Sequence, residues 1–317
     1  MIINKIRNVI RTIKNKNQNS EELLKITRDM LFLLKSDFKI IEQKIEEIKH
    51  QLIQNETQLK QNETQLEGIK DREIETVKAL CFQVLAKLER TAQTVVKTDY
   101  KIAYDSPDYI VPWGTKNDNS KYYEFNSKLY QLLGLNKIKL LDIGCAGGGF
   151  VQSIIEDGSF AIGLEGSDYS KLINRAAWRI IPNNLFTCDV TKPFSVYDST
   201  NNQIQFDAIT AWELMEHIKE EDIPVLLENI KKHLNDNGMF ICSVSTVDDY
   251  DSASGIHWHQ TVKPKEWWLN VLYENGFIEI KQEIIKKGDW LRGSGHANMD
   301  WTEDQNMGFH MVLKKDI

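Results

Sequence analysis

One stretch constrains the fold of this chain more than any other: Lys139-Leu140-Leu141-Asp142-Ile143-Gly144-Cys145-Ala146-Gly147-Gly148-Gly149-Phe150. A short apolar run carrying an acid ends in a turn with four glycines in six residues, and Val151–Ile155 then reads as a helix. Strand, glycine turn and helix in that order open a doubly wound α/β sheet, whose ligand crevice lies at the carboxyl end of the strand. Glycine suits such a turn because it adopts positive φ and lets the backbone approach a ligand closely. A second strand, Phe160-Ala161-Ile162-Gly163-Leu164-Glu165, again ends in an acid.

Two cofactor classes fit this unit. Gly144-x-Ala146-x-x-Gly149 matches the dinucleotide pattern with alanine in the middle, and Glu165 follows at roughly the 20-residue distance of a ribose-binding acid. Leu141–Gly148, however, resembles motif I of the class I S-adenosylmethionine-dependent methyltransferases, and Asp142 two residues before the first glycine favours the sulfonium cofactor over nicotinamide. The resemblance implies that the turn carries the cofactor's methionine part and that the acid after the second strand holds the ribose hydroxyls. It assigns cofactor binding to Asp142, Gly144, Cys145, Ala146, Gly148, Glu165, Gly166, Asp189, Val190 and Trp212. Ala146 departs from the family, which has glycine there.

The remaining strands follow from apolar runs. Leu185–Asp189 is the third strand, ending in the acid that the resemblance places near adenine. Phe206–Glu213 is the fourth and Gly238–Val244 the fifth, while Phe277–Ile285 and Phe309–Leu313 form a closing hairpin typical of the family. Helices are expected over Lys121–Leu133, Ser170–Ile181, from Pro224 to about Leu234, and from Lys263 to near Gly276, with proline at a first turn and glycine at a C-terminus as punctuation. The expected fold is a Rossmann-like seven-stranded sheet with helices on both faces, covering 136–317, preceded by a lid or substrate segment over 98–135.

The first 106 residues have no proline, no tryptophan and one glycine, Gly68, which points to long helices. Residues 1–20 form a basic amphipathic helix, with Lys5, Arg7, Arg11, Lys14 and Lys16 and no acid. It suits a neighbouring subunit or an anionic membrane surface. Over 21–97 we expect a helical oligomerisation region, Ala79–Val96 leading into the enzyme. Phe38, Ile45, Leu52, Leu59 and Leu66 alternate with Ile41, Ile48, Asn55, Asn62 and Ile69 as a heptad seam. That predicts a coiled coil whose two asparagines specify a dimer or a trimer. Roughly 60 helical residues would span about 90 Å.

Formal net charge is −7, with no basic footprint, so nucleic acid is an unfavoured partner. Cys81, Cys145, Cys188 and Cys242 stand singly, as in a reducing compartment. With no run of about 18 apolar residues and no signal-peptide core in Met1–Ser20, a cytoplasmic location is expected, soluble or peripheral at the inner membrane surface.

Methyl transfer to a hydroxyl needs alignment and a base or a metal. Glu213-x-x-Glu216-His217 stands at the end of strand four and His257-Trp258-His259-Gln260 after strand five. We therefore expect catalytic roles for Glu216, His217, His257 and His259. Glu213, Glu216, His217 and His257 could hold magnesium or manganese, and alternation would put His257 and His259 on one side of a strand. This arrangement resembles the metal sites of small-RNA ribose 2′-O-methyltransferases and ubiquinone-pathway O-methyltransferases; many metal-free members carry a similar Glu-His. Substrate candidates are Trp113, Asn119, Glu213 and Trp258. The glycine-rich Arg292–His296 loop follows no strand and opens no helix, so it is not read as a phosphate cradle.

Ser106-Pro107-Asp108, Pro112-Trp113-Gly114-Thr115 and the stretch from His259 to Trp268 are similar to bacterial methyltransferases of surface-polysaccharide gene clusters. The resemblance implies an O-methyltransferase acting on a sugar or glycan-like hydroxyl, self-associated through its coil. The rival readings are an RNA ribose 2′-O-methyltransferase, a coiled-coil scaffold with a degenerate cofactor domain, and a nicotinamide oxidoreductase.

Overall fold

A computed structural model describes residues 94–292, 300–302 and 306–316. The basic helix, the heptad seam and most of the Arg292–His296 loop lie outside the described residues. Those described belong to one compact unit, Ala79–Ile317.

The elements are β1 (Val95–Lys97), α1 (Tyr123–Leu133), β2 (Lys139–Ile143), α2 (Gly149–Glu156), β3 (Phe160–Glu165), α3 (Tyr169–Leu172), α4 (Ala177–Ile180), β4 (Leu185–Thr187), β5 (Ser195–Tyr197) and β6 (Phe206–Ala211). Two 3-10 turns follow, Met215–His217 and Glu220–Asp222. Then come α5 (Ile223–His233), β7 (Leu234–Ser245), β8 (Tyr250–Asp251), β9 (Ile256–His257), α6 (Lys265–Glu274), β10 (Phe277–Glu279) and β11 (Gly308–Lys315).

A seven-stranded sheet runs in the order β10-β11-β7-β6-β2-β3-β4. The five strands from β7 to β4 are mutually parallel, whereas β11 is antiparallel to both β7 and β10. From β2 the chain goes to β3 on one side and later to β6 on the other. That reversal opens a crevice at the carboxyl end of β2.

Strand alternation sorts the core into two layers. Leu140, Ala161, Ala208 and Ile241 face one way and pack with Phe125 and Leu129 of α1 and with Val151 and Ile154 of α2. Leu141, Ile162, Ile209 and Phe240 face the other way, onto Leu226, Leu227 and Ile230 of α5 and Trp268 and Leu272 of α6. Both faces of the central strands are buried, which explains why they read as continuous apolar runs rather than alternating ones. Among the described residues no helix is long and apolar enough to cross a membrane.

Three expected elements differ. The helix over Ser170–Ile181 is broken into α3 and α4, because Asn174 and Ala176 both take positive φ, near 51°. Val95 and Val96, expected at the end of a helix, lie instead in β1, which pairs antiparallel with β5. The strand from Phe277 stops at Glu279, and the Gln282 side chain then turns the chain by accepting from the Ile284 and Ile285 amides.

Candidate active site

The glycine turn is tied to the end of β3 from both sides. Leu164 O accepts from the amides of Gly144 and Cys145, at 2.8 and 3.0 Å. In return Glu165 Oε2 accepts from the Ala146 amide at 2.7 Å, and its Oε1 accepts from the Ser167 amide at 3.2 Å. Ala146, where glycine was expected, has φ 47°, and its carbonyl accepts from Trp178 Nε1 at 2.9 Å. Hydrogen bonds at both its ends hold an L-residue in the left-handed region, at a strain of about 1 kcal/mol.

A loop closes over this turn. Arg175 donates from Nη1 to Asp118 O (2.7 Å), from Nη2 to Thr115 O (2.9 Å) and from Nε to Ser170 Oγ (3.0 Å). The fit is tight enough that a Cβ on Gly147 would strike Asp118 O, and one on Gly149 would strike Asn119 O. The close approach that these glycines permit is therefore to the loop. Gly148, the helix cap with φ 79°, faces Leu185 and lines neither cavity described below.

Two cavities meet at Gly144, Trp212 and Glu213. The smaller, about 50 Å³, lies over the turn and is lined by Cys145, Ala146, Asn119, Asp142 and Arg292, among others. The larger, about 140 Å³, runs past Glu165, Gly166, Asp189 and Val190 to His217. A nucleoside with an amino-acid tail fits this division. Each oxygen of Glu165 has capacity beyond its backbone bonds, enough to accept from a ribose diol. Asp189 lines the larger cavity while its Oδ1 holds the Thr191 amide and hydroxyl.

Asp142 is buried on β2; burial pushes its carboxyl up to about 7, opposed by the Thr210 hydroxyl, which donates to Oδ1 at 2.7 Å, and by Arg292. Arg292 was not singled out from the sequence. It is 6% exposed, its Cζ stands 4.0 Å over the Trp212 ring, and its Nε and Nη2 have no hydrogen-bond partner. Burial lowers its pKa to about 10, against the pull of Glu213, Asp142 and Asp118.

Beyond β6 the chain turns sharply. Glu213 has φ 48°, its amide donates to Ser243 Oγ (3.0 Å), and its Oε1 accepts from Trp301 Nε1 (2.8 Å). Glu216 is fully buried, and its Oε1 accepts from the Ser245 amide at 2.9 Å, but Oε2 has no partner. Burial, then Glu213, raises its pKa to about 8, with His217 acting the other way. His217 Nδ1 lies 2.9 Å from Asp108 Oδ2, an ionic contact off the line of an ideal hydrogen bond. Burial opposes charge on His217, but Asp108, Glu216 and Glu213 outweigh it and raise its pKa. His259 packs edge-on to His217, centroids 4.8 Å apart, and its Nδ1 meets Val247 O. Glu216, His217 and His259 each place one possible ligand atom within 4.8 Å of the other two.

Other expected residues stand elsewhere. His257 is exposed, 3.3 Å from Asp248 and packed on Tyr250, because β9 ends at His257 and the assumed alternation never reaches His259. Glu213 lines both cavities but is not among the three clustered ligand atoms. Trp113 is exposed, with Lys116 Nζ 3.9 Å over its ring, and neither it nor Trp258 lines these cavities. Asp108, unassigned in the sequence, supplies the partner of His217; its only sequence signal was the Ser106-Pro107-Asp108 wording.

Residues 118–278 match the family model described as a methyltransferase domain. Over 148 residues the chain is 32% identical to the ubiquinone biosynthesis O-methyltransferase of Pelagibacter ubique, covering 42% of this chain and 58% of that protein, so it spans less than two thirds of that relative. Similar solved structures include an S-adenosylmethionine-dependent methyltransferase from Clostridium acetobutylicum, with TM-score 0.43, 12% identity, and coverage of 62% of this chain and 92% of that one. Another is the 1,6-didemethyltoxoflavin N1-methyltransferase of Burkholderia thailandensis, solved with S-adenosylhomocysteine, with TM-score 0.42, 14% identity, and coverage of 65% and 82%. With half of its length matched by that family model, the chain belongs to the methyltransferase-domain family and is an S-adenosylmethionine-dependent methyltransferase.

Proposed function

We propose that this methyltransferase acts on oxygen, at a hydroxyl of a sugar or glycan-like acceptor. The observation that carries the reading is the cluster of His217, Glu216 and His259 beside the cofactor crevice, with Asp108 against His217 Nδ1. An aliphatic hydroxyl holds its proton far more tightly than a protonated amine does, so transfer to oxygen needs a base or a cation at the acceptor. A neutral amine attacks through its lone pair and makes the smaller demand. Asp105, Ser106, Thr191, Asp222 and Gln260 at the larger cavity offer hydrogen-bonding groups to a hydroxylated ring. The partial likeness to a ubiquinone-pathway O-methyltransferase supports oxygen and leaves the acceptor class to this argument.

S-adenosylmethionine, when bound, supplies an electrophilic methyl for in-line displacement. Glu165 would hold the ribose, and the glycine turn and its loop would fix the sulfonium's direction. His217, with Nδ1 turned to Asp108, has Nε2 available to take the acceptor proton. His259 likewise keeps Nε2 available, since Val247 O engages Nδ1. In the alternative to that proton transfer, the two Nε2 atoms and the orphaned Glu216 Oε2 would hold a divalent ion such as magnesium or manganese, which would lower the acceptor's pKa. Burial and then Glu213 raise the pKa of the buried acid, and Asp108, Glu216 and Glu213 raise that of the histidine against burial; a cation among them would relieve the excess of negative charge.

The coil, on its sequence alone, supports self-association that spaces several active sites along a polymer or a membrane-bound acceptor. The basic residues 1–20 are the part that would touch an anionic surface.

The test is methyl-labelled S-adenosylmethionine with purified protein and a panel of oligosaccharides, catechols and RNA, with and without magnesium or manganese. We expect alkali-stable label in the sugar fraction. Label confined to catechols would move the acceptor to a quinone precursor, and label on nitrogen would end the O-methyl reading.

A further inference from the structure

The turn that carries Glu216 and His217 is not held by its own hydrogen bonds alone. It is a 3-10 helix of three residues, Met215–His217, closed by His217 N donating to Leu214 O (2.9 Å) and Ile218 N donating to Met215 O (3.2 Å). Helices of this kind stay short because their hydrogen-bond geometry is poor, so a single turn takes its shape from what grips it. One grip is β7, through Ser243 Oγ on the Glu213 amide and the Ser245 amide on Glu216 Oε1.

The other grip is the segment that carries His259. The amides of Gln260 and Thr261 both donate to Glu216 O, at 2.7 and 2.9 Å, which uses both lone pairs of that carbonyl. The Thr261 hydroxyl donates to Ile218 O at 2.7 Å. Thr261 is 1% exposed and stands two residues after His259. Downstream, Pro264 caps α6, whose Trp268 and Leu272 are fully buried in the core. One end of this strap is therefore fixed to a core helix, and the other presents His259 edge-on to His217, centroids 4.8 Å apart.

We propose that Thr261 is a positioning residue for methyl transfer: its hydroxyl fastens the His259 segment to the Glu216–His217 turn and so sets the spacing of the two imidazoles at the acceptor. This rests on the O-methyl reading above and deepens it. Thr261 lines neither cavity, so its effect on rate passes through the groups it holds. A misplacement of about 1 Å at a reacting group costs about 100-fold.

The experiment measures kcat and KM on the full chain with whichever hydroxyl acceptor takes label in the panel above, for wild type, Thr261→Val and Thr261→Ser, and for Thr261→Val combined with His259→Asn. S-adenosylhomocysteine affinity is read by calorimetry on each. Valine keeps the shape and removes the hydroxyl, so kcat should fall about 10- to 100-fold while acceptor KM and cofactor affinity stay within about twofold. Serine keeps the hydroxyl and should hold kcat within about threefold of wild type. On the His259→Asn background the valine substitution should cost less than about threefold, because the group it positions is gone. Unchanged kcat in Thr261→Val overturns the assignment while the O-methyl reading stands. So does serine as damaging as valine, or a full valine loss on the His259→Asn background, since either makes Thr261 a packing residue. Should Thr261→Val not fold, serine decides alone, and a loss beyond about tenfold overturns the assignment. If no hydroxyl acceptor takes label, the O-methyl reading falls and takes the assignment with it.

Discussion

Two buried acids mark the two ends of the crevice, and they differ in how they are neutralised. Asp142 lies in the middle of β2, held by the Thr210 hydroxyl and facing the Arg292 guanidinium across a small cavity. Glu216 lies in a 3-10 turn, with one oxygen on the Ser245 amide and the other on nothing. The first acid belongs to a site that holds charges of both signs before a ligand arrives, Arg292 among Asp142, Asp118 and Glu213, which suits a ligand that is itself a zwitterion. The second belongs to a site with an excess of negative charge, which suits a cation or a proton in transit. The contrast teaches that burial alone does not define an acid's surroundings; a cation across the cavity from Asp142 and an orphaned oxygen on Glu216 set the two apart.

The largest expected effect is at the unbalanced end. Glu216→Gln should lower kcat/KM by about 10³-fold, leave S-adenosylhomocysteine affinity unchanged by calorimetry, and raise the melting temperature of chelator-treated protein above about pH 8, where the carboxyl ionises and the substitution removes an uncompensated buried charge. A variant that is less stable and weak in cofactor binding would erase the distinction between the two acids.

Next comes a limit set by the scaffold that carries both. His233 is fully buried, its Nε2 accepting from the Val196 amide and its Nδ1 meeting Asn229 O, and burial lowers its pKa to about 4. The neutral ring is the folded form. Stability from this group is full above about 6.5, falls as the unfolded chain takes up a proton below that, and is lost as pH passes about 4. The loss is about 3 kcal/mol. Urea midpoints between pH 7 and pH 4 should show this slope, and a His233→Gln variant should lose most of it. The two ends are therefore best compared above pH 6.5.

Asp108→Asn should cost about 10- to 100-fold in kcat, the usual scale for a group that orients a reacting imidazole, with cofactor affinity intact. An equal loss in both would mean that the loop, not the carboxylate, matters. Smallest is Ala146→Gly at the glycine-turn end. Relief of the positive φ and the greater freedom of the unfolded chain oppose each other, so the change in melting free energy should stay within about 1 kcal/mol.

The glycine-turn end was the more legible one from sequence. Asp142, the glycine turn and Glu165 are set by local order, one strand and one turn at a time, and the two core layers follow from apolar runs. The other end is assembled from distant segments. Glu216 and His217 could be named from their place after β6. Choosing His259 over His257 depends on where a two-residue strand stops. Asp108 reaches His217 across more than a hundred residues of chain. Arg292 opens a glycine-rich loop that was set aside because it follows no strand and opens no helix, yet the informative residue was the arginine beside those glycines. No periodicity encodes such meetings, because they are made by tertiary packing. The break between α3 and α4 was missed for a related reason: Asn174 and Ala176 take their backbone angles from packing, and alanine advertises no such bend.

The stretch from Asp108 to Asp118 joins these two ends physically. Its beginning lends a carboxylate to His217, and its end is fastened across the glycine turn by Arg175 through the carbonyls of Thr115 and Asp118. A displacement that unfastened Arg175 and carried this stretch away would uncover the smaller cavity over the glycine turn and strip the histidine of its counter-charge in the same movement. An exit route for spent cofactor would thus open only as the proton acceptor is disarmed, a mechanical interlock requiring no signal from outside.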